Sequence, residues 1–99
     1  MQAIVTKYHG PTNTRGSRVT AIADAGRVTL PWNDALSMEA NHDAAALALC
    51  AKFGWNVPHY GKYLQRGGMP KSSPYAYCYV STGGKLDEYD RVKVPQVKP

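Results

Sequence analysis

The sequence predicts an α+β fold, an antiparallel sheet in β-β-β-α-β order packed on one main helix. Three observations predict it. The first 31 residues hold three short runs of alternating, β-branched character. One alanine-rich stretch then carries an apolar face at helical spacing. A later tyrosine-rich run alternates again.

"QAIVTKY" reads as the first strand, with Ala3, Val5 and Lys7 on one face and Ile4, Thr6 and Tyr8 on the other. "RVTAIA", Arg18 to Ala23, is the second. "DAG" turns the chain at Gly26, which tolerates positive φ. "RVTL" is the third strand, and Pro31 ends its ladder. In "SMEANHDAAALALCAKFGW", Ala46, Leu49, Cys50 and Phe53 fall on one helical face. Ser37 or Asn41 can cap this helix, and Gly54 is the expected stop. "NVPHYGKYLQRGGMPKSSP" is broken by Pro and Gly, with room for a short helical turn at Tyr63 to Arg66. "YAYCYVS" is the fourth strand. Its small side, Ala76, Cys78 and Val80, is expected on the helix, which would leave Tyr75, Tyr77 and Tyr79 on the open face. Residues 1–82 thus form one domain, and 83–99 read as a C-terminal tail, partly flexible.

With 99 residues and 43% hydrophobic content, the chain supports one modest core. No secretory leader and no membrane-length apolar run appears, which points to a cytoplasmic protein. Cys50 and Cys78 are expected as reduced thiols, and no zinc-finger spacing surrounds them. No phosphate-binding loop, dinucleotide fingerprint, HExxH or GxSxG motif occurs, so neither an enzyme nor a cofactor is expected. His42, at the start of the helix's apolar face, reads as a structural histidine bonded to the preceding loop. His9 and His59 read as loop residues with no acid at ligand spacing.

The net charge of +5 is uneven. Residues 1–33 hold Lys7, Arg15, Arg18 and Arg27 against Asp24, and residues 57–82 hold Lys62, Arg66 and Lys71 with no acid. The middle of the chain is acidic. This distribution favours a negatively charged partner. The link between the first two strands, "HGPTNTRGSR", is longer than a minimal hairpin loop and rich in oxygen-binding groups, Thr12 and Asn13 among them. It reads as a self-bonded loop, a phosphate grip or a protein contact. The tyrosine stripe likewise reads as sheet cover, protein interface or base-stacking platform.

The segments "TKYHGPTNTRGSRVTA" and "NHDAAALALCAKFGW" resemble small proteins of phages, plasmids and other mobile elements. The resemblance runs through Trp55. It implies an accessory or anti-defence role in a bacterial host cell, inhibition of CRISPR effectors included. Acidic DNA mimicry does not fit a chain of this charge. Two expectations follow. One is a nucleic-acid binder that uses Lys7, Arg15, Arg18, Arg27, Lys62, Arg66 and Lys71 for phosphates and Tyr75, Tyr77 and Tyr79 for bases. The other is an anti-defence factor that binds a host nucleoprotein complex through the same surface. An open sheet edge also leaves a homodimer plausible.

Overall fold

The computed structural model describes residues 3–14, 16–55, 63–82 and 91–95. Within them the order is β1 (Ile4–His9), β2 (Arg18–Ala23), β3 (Gly26–Pro31), α1 (Met38–Lys52), β4 (Tyr63–Gly68), β5 (Tyr77–Thr82) and β6 (Arg91–Lys93). The strands form one antiparallel sheet in the order β3-β2-β1-β5-β4-β6, and α1 lies across β1, β2 and β3. The fold is therefore α+β, with three strands before the helix and three after it. Among the described residues, no helix is long and apolar enough to cross a membrane.

The N-terminal half forms as its pattern dictates. β1 to β3 pair as a meander, with Val5 opposite Ile22, Lys7 opposite Thr20, and Thr20 opposite Thr29. Gly26 takes φ 152°, and its missing Cβ matters, because one built there would sit 2.8 Å from the Phe53 ring. Pro31 is tolerated because β3 lies at the sheet edge. Ser37 caps α1 by accepting from the Ala40 amide at 3.1 Å, and Gly54 ends the helix region at φ 71°. Asn41 has a different task from capping. Its Oδ1 accepts from the Asn33 amide at 2.8 Å, and its Nδ2 donates to the Asn33 and Ser37 carbonyls. It thereby fastens the β3–α1 loop to the helix.

Three expectations are corrected in the C-terminal half. Residues 63–66 are not a helical turn but the start of β4, which is paired on both sides by β5 and β6. β6 flanks only Tyr63 to Gln65, and the β5 ladder alone, with Cys78 and Tyr77, carries Gly67 and Gly68 against their weak strand propensity. Within the expected tail, residues 91–93 form β6, and Val94 is buried in the core. The rest of that tail lies outside the described residues.

The third correction concerns which way β5 faces. Tyr79 is fully buried on the helix side, whereas Val80 is 45% exposed on the other. The physical reason is packing. The helix presents alanines, Ala45 and Ala46, and small residues against small residues would leave a void. The Tyr79 ring fills the space beside Ile4, Leu49 and Leu64 in the core. Its hydroxyl donates to Asp43 Oδ1 at 2.6 Å, and Arg66 Nη1 on β4 donates to both carboxylate oxygens of Asp43, at 2.9 and 2.7 Å. One carboxylate on α1 thus holds β4 and β5.

Tyr79→Phe keeps the ring and removes this bond to a charged acceptor, which is expected to cost roughly 1.5–3 kcal/mol in urea unfolding. Val80→Ala, on the opposite face, is expected to cost under about 1 kcal/mol. Equal costs would contradict the assigned faces.

Candidate nucleic-acid interface

Strand alternation divides the sheet into a covered face and an open one. Ile4, Thr6, Val19, Ala21, Leu64 and Tyr79 point to the helix side and are buried. Lys7 and His9 of β1, Arg18, Thr20 and Ile22 of β2, and Arg27 and Thr29 of β3 point the other way. With Tyr75 they line a concavity of about 540 Å³ on the open face. Three permanent cations converge there, and no acid stands among its described lining residues. Thr20 and Thr29 share a hydroxyl hydrogen bond at 3.0 Å beneath them.

Electrostatics within the concavity are one-signed. Partial burial holds His9 below its ordinary value of 6.5, and the nearby Arg18 and Lys7 add to the effect. An arriving anion would reverse that repulsion. Arg18 Nη1 also donates to the Gly16 carbonyl at 3.4 Å, and the Tyr8 hydroxyl donates to Ser17 Oγ at 3.1 Å. These bonds tie the base of the loop at 10–17 to the end of the sheet. Thr12 and Asn13 lie on the exposed part of that loop.

The expected site residues divide accordingly. Lys7, Arg18, Arg27 and Tyr75 come together around the concavity. Lys71 is exposed in the turn between β4 and β5. Arg15, Lys62 and His59 lie outside the described residues. Arg66 is corrected: it is engaged with Asp43 on the helix side, its side chain only 15% exposed. Tyr77 and Tyr79 are corrected too. Both belong to the helix face, Tyr79 sealed in the core and Tyr77 packed edge-on against His42 at 5.1 Å. His9 is not a loop residue but the last residue of β1. The reading by residue missed His9, Thr20, Ile22 and Thr29 as site members. Their signal was present in the alternation of β1, β2 and β3, which groups them with Lys7, Arg18 and Arg27.

His42 stands apart from this surface. It is 1% exposed, and its Nδ1 lies 2.8 Å from Thr6 Oγ1 on β1, so it bonds the sheet rather than the preceding loop. Trp32 and Tyr77 flank its ring edge-on. Cys50 is buried, and burial pushes its thiol up to about 11, far from a nucleophile's range. No cluster of metal-ligating side chains occurs among the described residues. Family models, curated proteins and solved structures give no match to this chain.

Burial holds His42 below its ordinary value despite Asp43 and Glu39, which pull it upward. Below about pH 6.5 the unfolded chain then takes up a proton that the folded chain refuses. Stability is therefore expected to fall from about pH 6.5 down to the lowered native value, read as urea midpoints at about pH 7.5 and 5. His9→Ala should keep most of that loss, since His42 is the more deeply buried ring. A midpoint that rises on acidification would contradict the assignment.

Proposed function

We propose that this protein binds nucleic acid through the open face of its sheet, as a small accessory protein of mobile-element type. The observation that carries the reading is the convergence of Lys7, Arg18 and Arg27 on one concavity with no acid among its described lining residues. Cations that stabilise a fold are normally matched by carboxylates, as Arg66 is by Asp43. Three cations gathered on adjacent strands without such a match repel one another. They are better accounted for by an anionic ligand than by folding. Binding, not catalysis, is the proposed activity. The buried His42 and Cys50 are packed as structural groups, and the open face offers cations, hydroxyls, the Tyr75 ring and the His9 imidazole.

The arrangement suits phosphates in particular. The two arginines supply planar, bidentate donors, and Lys7 adds a point charge. Neutralising three phosphates gives a salt slope of about −2 to −3, so affinity is expected to fall roughly 20- to 40-fold between about 50 and 200 mM salt. Fluorescence anisotropy with labelled oligonucleotides checks this. Lys7→Ala/Arg27→Ala should weaken binding and reduce the slope by about 1.5–2, whereas Lys71→Ala, in its exposed turn, should change little. Absence of binding at the lower salt would overturn the reading and pass the weight to a protein partner, such as a host defence complex.

A further inference from the structure

Beside the cations, the open face carries a low, apolar floor. The register sets Arg27, Ile22, Val5, Cys78 and Gly67 in one row across five strands. Val80 stands in the next row, 45% exposed. α1 packs on the other face, against β1, β2 and β3. Tyr75 lines the concavity together with the cations and His9, and it is the one tyrosine there.

We propose that the ligand of this face is single-stranded rather than double-stranded nucleic acid, with its phosphates on Lys7, Arg18 and Arg27 and a base on Tyr75. The inference rests on the nucleic-acid reading above and narrows it. Charge alone would accept any polyanion. The floor adds a second requirement, because the ligand must also offer flat apolar surface. A single strand does so, since its bases can turn away from the phosphates and lie on apolar or aromatic groups.

A duplex does not meet this requirement. Its base faces are stacked inside, and its edges are reached only through the grooves. The major groove is about 12 Å wide and admits a helix or a two-stranded ribbon. Six strands at about 4.8 Å spacing span about 24 Å, twice that width. The sheet face therefore meets a duplex only at its phosphate rails, and Ile22, Val5 and Val80 face charged backbone. Inorganic polyphosphate fails for the same reason, having charge without apolar surface.

The test is a competition at fixed low salt. A labelled oligothymidylate is displaced by unlabelled single strand, by duplex of the same phosphate count and by polyphosphate. The expected order is single strand well ahead of the other two. Tyr75→Ala, its fold verified by circular dichroism, should weaken single-strand binding about 5- to 100-fold, the loss of one stacked base. It should leave duplex and polyphosphate nearly unchanged. Duplex or polyphosphate that competes as well as single strand overturns the single-strand inference and leaves the nucleic-acid reading in place for duplex. Failure of the oligothymidylate to bind removes the single-strand inference, and failure of a labelled duplex to bind as well removes the nucleic-acid reading. The wild-type ranking decides the question even if the Tyr75 variant does not fold.

Discussion

The carboxylate of Asp43 is the contact on which the arrangement depends. It sits one turn into α1, yet its partners, Arg66 and Tyr79, belong to β4 and β5. The helix itself lies over the other half of the sheet. Asp43 therefore joins the N-terminal meander and its helix to the C-terminal strands. A half-buried carboxylate costs some desolvation free energy, which one arginine nitrogen shared between both its oxygens and a short phenolic bond offset. Removing any one member leaves partly buried groups incompletely paired. The value of the cluster lies in specificity of arrangement as much as in net stability.

That cluster has a consequence on the opposite side. In a strand, setting one side chain sets its neighbours. With Tyr79 drawn to Asp43, Cys78 and Val80 must face away, and they join Val5, Ile22 and Gln65 on the open side. In the meander the same logic acts through Thr6 and His42. Because Thr6 turns inward to the imidazole, Lys7 turns outward. The buried polar contacts thus determine which cations and which apolar groups share the open face, and the chemistry of that face follows from groups that never reach it.

The first half of the fold was legible because its signals are local. Alternation, a turn glycine, a serine cap and a stop glycine each act over a few residues, and each stands where expected. β4 and β6 were not legible. Tyr63 to Gly68 becomes a strand through pairing with β5, to which β6 adds a second ladder at Tyr63 to Gln65, and residues 91–93 reach β4 across many intervening positions. The orientation of β5 failed for a related reason. Either side of "YAYCYVS" is a plausible core side, and the choice depends on Asp43, 36 residues away. Lys7, Arg18, Arg27 and Tyr75 were singled out by charge and ring type, and the fold brings them around one concavity. Arg66 and Tyr79 were misassigned because nothing local marks them as partners of a helix carboxylate.

The central claim is that a ligand covers the open face while the helix face stays sealed, and the two cysteines report on it directly. Cys78 lies on the open face, and Cys50 is buried under the helix. The decisive measurement is the rate of thiol alkylation at each cysteine, by mass spectrometry, with and without a saturating single-stranded oligonucleotide. The account predicts that Cys78 reacts in the free protein and is protected at least several-fold by the oligonucleotide, while Cys50 stays unreactive in both. A Cys78 rate unchanged by saturating ligand, or a Cys50 that reacts as fast as Cys78, would contradict it.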